Sequence, residues 1–158
     1  MKGIDGARLI ASLAVCYAAS GIGALATGPA VQTWYPTLAK PAFNPPNWLF
    51  APVWTVLYTL MGIALFLIWR QISMEPGVRS AIAIFGVQLA FNVLWSVIFF
   101  GLQSPLAGLV VILILWVAIL FTIISFFRFS TVAGVLLIPY ILWVSFAAIL
   151  NYSIWRLN

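Results

Sequence analysis

The chain has 158 residues, 65% of them hydrophobic and only 6% charged, with seven Lys and Arg against two acids and a formal net charge of +5. A soluble domain carries roughly 25% charged residues, so this composition excludes a water-soluble globule. At about 20 apolar residues per bilayer crossing it furnishes about five crossings and little chain for any aqueous domain. The basic residues stand singly between apolar runs, the pattern of topology markers and headgroup anchors and not of a nucleic-acid patch.

Histidine is absent and Cys16 is the only cysteine. One chain therefore assembles no Zn site, no histidine-based catalytic dyad and no intrachain disulfide. Haem held by His is excluded as well, so any tetrapyrrole bound here is held mainly by packing. No metal site and no general acid-base set is expected.

In chain order, the first helix is expected over Ala7 to Ala26, where small residues at Ala14 and Ala18, and at Ala19 and Gly23, allow a close neighbour. Lys2 and Arg8 before an apolar run ending Ala24-Leu25-Ala26 also fit a cleavable signal peptide, but retention of the segment is expected. A long first loop, 27–47, comes next with Trp34, Tyr35, Lys40, Pro41, Phe43, Pro45 and Pro46. Its rings and prolines suit either a stiff flap over a pocket mouth or an interfacial aromatic belt.

The second helix, Trp48 to Trp69, places Trp54, Tyr58 and Met61 on one face. The third, Ser80 to Gly101, does the same with Gln88, Asn92, Trp95, Ser96 and Phe99. Turn chemistry at Gly101-Leu102-Gln103-Ser104-Pro105 starts a fourth helix, Pro105 to Phe127, and a fifth runs from Thr131 to Tyr152 with Tyr140, Trp143, Ala147 and Asn151 on one face. Polar atoms facing lipid are costly, so these three stripes are expected to point inward. They either surround a cavity or simply bind the helices together by hydrogen bonds. Pro52 and Pro139 precede two of the stripes and are expected to bend their helices, freeing the carbonyls of Trp48 and Val135.

The expected fold is an all-α integral membrane protein, a single domain of five transmembrane helices. Five spans place Lys2, Arg8, Arg70, Arg79 and Arg128 on one side and Lys40 and Arg156 on the other, which predicts a cytoplasmic N-terminus. Near the C-terminus Leu150, Tyr152 and Arg156 satisfy a loose sterol-type motif that many interfacial helix ends match by chance.

Three blocks carry a family resemblance: Trp34-Tyr35, Leu38, Lys40-Pro41, Phe43, Pro45-Pro46, Trp48, Phe50, Pro52 and Trp54 leading to Tyr58; Gln88-Leu89-Ala90-Phe91-Asn92 with Leu94-Trp95; and Pro139-Tyr140 with Leu142-Trp143. Together they resemble the TspO/MBR, or translocator protein, family from the first helix onward. The resemblance implies a five-helix bundle, commonly a homodimer, whose pocket lies beneath the first loop and receives porphyrins, synthetic aromatic ligands and, in animal members, cholesterol. It implies pocket tryptophans at Trp54 and Trp143 and polar third-helix positions at Gln88, Asn92 and Trp95. Phe43 stands where many relatives carry Trp, which keeps an aromatic plug but removes an indole N–H.

The expected function is that of a membrane receptor or binding protein for porphyrins and similar hydrophobic ligands, with a part in their transport or disposal. Trp34, Phe43, Trp54, Tyr58, Gln88, Asn92, Trp95, Tyr140, Trp143 and Ala147 are the candidate ligand contacts, and Lys40 either meets a ligand carboxylate or anchors the interface. No cofactor is required; the porphyrin is a ligand, and membrane lipid and a second copy are the other expected partners. The alternatives are an enzyme-like, light- and oxygen-dependent breakdown of bound porphyrin, with Trp54 and Trp143 as its redox participants, or a carrier for hydrophobic solutes. The expected location is a bacterial envelope membrane or, in a eukaryote, the mitochondrial outer membrane.

Overall fold

The computed structural model describes residues 2–158. Among the described residues every regular element is helical: α1 (Lys2–Thr33), α2 (Phe50–Trp69), α3 (Val78–Ser96), α4 (Pro105–Phe127), α5 (Thr131–Leu136) and α6 (Ile138–Leu157). Five helical segments are long and apolar enough to cross a membrane, with α5 and α6 forming the fifth together.

Local chemistry sets several ends. The Ser104 hydroxyl accepts from the Ala107 N–H ahead of Pro105 at the start of α4, and Ser130 does the same for Ala133 at the start of α5. Gly77 opens α3 at φ 92°, a left-handed conformation that costs glycine little. At the far end of α3 the helix widens into a π turn over Val97–Gly101.

The bundle is apolar on both its surfaces. Within it Phe85 stacks on Phe126 at 5.8 Å, among buried Ile68, Leu115 and Ile119. On its outside α4 exposes Val110, Leu113, Val117, Phe121 and Ile124 along one stripe. Such a stripe is stable against acyl chains and not against water, so the chain is a multi-pass membrane protein.

Packing pairs α1 with α2, α3 with α4, and α4 with α6. The approach of α1 to α2 depends on Gly62, where an added Cβ would stand 2.7 Å from Leu13 Cδ2 and 3.1 Å from its Cα.

Two expectations about the helices are corrected and one is met. The first helix does not stop at Ala26 but passes through Pro29 to Thr33, so the connection to α2 begins at Trp34. Burial of Ala30, with α1 packed along the π turn of α3, offsets the backbone bond that Pro29 removes. Pro52 falls in the first turn of α2, where N–H groups have no helical acceptor, and breaks nothing. Pro139 does break its span: α5 ends at Leu136, Leu137 donates to Gly134 O in a tightened turn at 3.2 Å, and α6 resumes at Ile138.

Candidate functional site

A cavity of about 410 Å³ opens between α1, α2, the end of α3 and α6. Its most prominent surfaces are rings. From α2 come Trp54 and Tyr58, 5.6 Å apart; from α3 comes Trp95, whose ring lies 6.4 Å from Trp54 at an interplanar angle of 32°. The π turn adds Phe99, stacked on Trp95 at 5.6 Å, and Phe100, set edge-on to Phe99 at 4.7 Å. Turns of this kind recur at functional sites. From α6 Trp143 closes the wall, edge-on to Phe50 at 6.2 Å.

The side opposite the rings is built by small residues. Gly23, Ala24, Thr27 and Gly28 of α1 line the cavity, and a Cβ at Gly23 would stand 3.2 Å from Ser96 Oγ. This close crossing of α1 and α3 leaves the volume to the rings.

Beneath the rings lies a chain of buried hydrogen bonds that joins three spans. Tyr58 donates to Asn92 Oδ1 at 2.5 Å, Asn92 Nδ2 to the Tyr140 hydroxyl at 2.8 Å, and Tyr140 to Gln88 Oε1 at 2.8 Å. Gln88 Nε2 ends the chain against Met61 Sδ at 3.9 Å. A second set fixes Trp95: its indole N–H donates to Asn151 Oδ1 at 3.1 Å, while Asn151 Nδ2 donates to Pro105 O at 2.7 Å. Trp143 differs, because its Nε1 is buried with no partner among the described residues.

The sequence-derived candidates thus fall into three places. Trp54, Tyr58, Trp95, Trp143 and Ala147 line the cavity. Gln88, Asn92 and Tyr140 are buried in the network below it. Trp34 and Phe43 are not in its lining: Trp34 packs edge-on behind Phe99 at 5.7 Å, and Phe43 rests on Phe146 at 6.3 Å, half-exposed. The sterol-type motif is divided, with Leu150 lining the cavity while Tyr152 and Arg156 point outward.

Lys40 is occupied by its own loop. Its ammonium donates to Tyr35 O at 2.8 Å and Leu38 O at 2.9 Å, and lies 5.0 Å from the centre of the Tyr35 ring. The Tyr35 hydroxyl donates in turn to Asn44 Oδ1 at 2.8 Å, and burial pushes its pKa up to about 12. The loop is therefore a braced structure over the cavity, and Lys40 belongs to the brace.

Phe50, Phe100, Asn151 and the α1 wall also line the cavity. Phe50 lies one turn before Trp54 and Asn151 is on the fifth-helix stripe, so the pattern already holds both. The glycines and alanines of α1 carry no polar or aromatic signal to mark a cavity.

Comparison with known proteins identifies the family. The family model described as TspO/MBR family matches residues 12–156. The chain is 45% identical over 150 residues to "Tryptophan-rich protein TspO" of Chlorobaculum tepidum, covering 92% of each chain. It is 38% identical to "Tryptophan-rich sensory protein" of Cereibacter sphaeroides, over 98% of this chain and 94% of the relative, and 37% identical to "Translocator protein" of Homo sapiens, over 79% and 75%. The matched segment contains every ring of the cavity and every member of the network beneath it, and on that footing the chain belongs to the TspO/MBR family of membrane proteins.

Proposed function

We propose that this protein is a membrane receptor for porphyrin-type and similar flat hydrophobic ligands, held in the cavity between α1, α2, α3 and α6. The observation that carries the reading is the convergence of Trp54, Trp95 and Trp143 from three spans on one space of about 410 Å³. That volume lies in the range of small-molecule sites, and apolar walls with few polar groups suit a ligand whose faces are aromatic. Each ring-on-ring contact adds about 0.5–1.5 kcal/mol beyond area burial, so three indoles decide affinity.

The network of Tyr58, Asn92, Tyr140 and Gln88 supports the rings from below, and among the described residues no carboxylate or ammonium is buried to drive coupled transport. Any passage of ligand is therefore passive, down its own gradient. The excess of basic residues on the side of Lys2, Arg8, Arg70, Arg79 and Arg128 over Lys40 and Arg156 favours a cytoplasmic N-terminus, and membership of the family supports a homodimer as the working assembly.

The test is quenching of intrinsic fluorescence by protoporphyrin in nanodiscs. Saturable quenching that is lost when Trp54 and Trp143 are both replaced by Leu supports the reading; equal affinity in the double variant removes those residues from the site.

A further inference from the structure

A second, outer cavity of about 560 Å³ lies between α2 and the α5–α6 span. Val53, Val56 and Leu57 form one wall, and Leu142, Trp143 and Phe146 the other. Val56 is 57% exposed and Leu142 63%, both within membrane-crossing segments, so this groove opens onto acyl chains and not onto water.

Trp143 lines this groove and also the inner cavity. Its ring meets Phe50 on the inner side at 6.2 Å and Phe146 on the outer side at 5.4 Å. A single layer of side chains thus separates bilayer from binding site. No backbone seals the gap, because α2 lies along α5 and, past the break at Leu137, α6 packs on α4 instead.

Ring contacts hold Trp143 in this wall. The Trp95 indole is tied to Asn151 and the Trp116 indole to Ser145 at 2.8 Å, whereas the buried Trp143 N–H has no partner among the described residues. Swinging the Trp143 ring aside therefore breaks ring contacts and no hydrogen bond. The loop over the cavity is the opposite case: Lys40 and Tyr35 brace it from within, and Ala39 is bonded to Asn158.

We infer that the groove between α2 and α6 is a lateral entrance by which the hydrophobic ligand passes from the bilayer into the cavity, with the Trp143 indole as its door. The inference rests on the receptor reading above and adds the route. It commits the groove to one occupant, the cavity's own flat aromatic ligand in transit, because the two spaces share a wall.

The experiment is stopped-flow binding of protoporphyrin to the full chain in nanodiscs. Val56→Phe and Leu142→Phe fill the groove without touching the inner lining, and Leu113→Phe on the exposed face of α4 is the control. The expected result is association and dissociation both slowed by about tenfold in the groove variants, with equilibrium affinity kept and the control unchanged, since a blocked passage affects both directions equally. Rates equal to wild type in both groove variants overturn the entrance, as does a loss of affinity at unchanged association rate, which would mark damage to the cavity. Absence of saturable binding in the wild type overturns the receptor reading and the entrance with it.

Discussion

The side-chain amide of Asn158 pairs with the backbone of Ala39 in both directions. The Ala39 N–H donates to Oδ1 at 3.0 Å and Nδ2 donates to Ala39 O at 3.0 Å, while Nδ2 also reaches Ile154 O at 2.8 Å. The loop that covers the cavity is thereby fastened to the end of α6. Each such bond contributes about 0.5–1.5 kcal/mol net. Asn158→Ala should raise hydrogen exchange across residues 34–46 by about tenfold while leaving α4 protected, as read by mass spectrometry.

Lys40 makes a sharper test of what the loop does. Were its ammonium a partner for a ligand carboxylate, Lys40→Met would weaken a dicarboxylic porphyrin and spare its dimethyl ester. Because the ammonium instead holds Tyr35 O and Leu38 O, the substitution should shift the affinities of acid and ester by the same factor. The ratio of the two dissociation constants is the quantity to measure.

Asn92 sits at the centre of the buried network, accepting from Tyr58 and donating to Tyr140. Interhelical hydrogen bonds in membranes average about 0.6 kcal/mol, because the separated helices find other partners. Here the groups are enclosed by protein, and Asn92→Leu strands the Tyr58 hydroxyl, so a loss of about 2–3 kcal/mol is expected in reversible unfolding from detergent. Adding Tyr58→Phe should recover part of that loss by deleting the stranded group; strictly additive losses would count against a shared network.

Two glycines should respond differently to alanine. A Cβ at Gly108 would stand 2.9 Å from Phe99 Cδ2 and 3.2 Å from Asn151 Oδ1, whereas one at Gly86 would meet nothing within 4 Å. Gly108→Ala should displace Phe99 and loosen the bond from Trp95 to Asn151, lowering stability by about 1–3 kcal/mol together with porphyrin affinity. Gly86→Ala should be neutral or stabilise α3 by up to about 1 kcal/mol, affinity unchanged. Thermal unfolding and a binding isotherm on each variant check both.

The five spans and the inward stripes were legible because a bilayer imposes length and polarity rules that hydropathy reads directly. Trp54, Tyr58, Trp95 and Trp143 stand out at helical spacing, as does the polar run of α3. What spacing did not distinguish was layer. Trp95 lines the cavity while Gln88 and Asn92 of the same face lie beneath it, because depth along the bundle axis leaves no periodic mark. The extension of α1 through Pro29 was hidden for another reason: its driving force is burial of Ala30 in tertiary contacts, and local propensity opposes it. Lys40 reads as a headgroup or ligand contact until the carbonyls of its own loop are in place around it.

The widened turn over Val97–Gly101 makes this wall sensitive to chain length as well as to side-chain identity. Removing one residue there would restore regular winding, in which consecutive residues such as Phe99 and Phe100 stand about 100° apart around the axis, carrying one of these rings away from the space both share with Trp95. Descendants of this sequence could thus change what they hold through a one-codon deletion, with every tryptophan still in register.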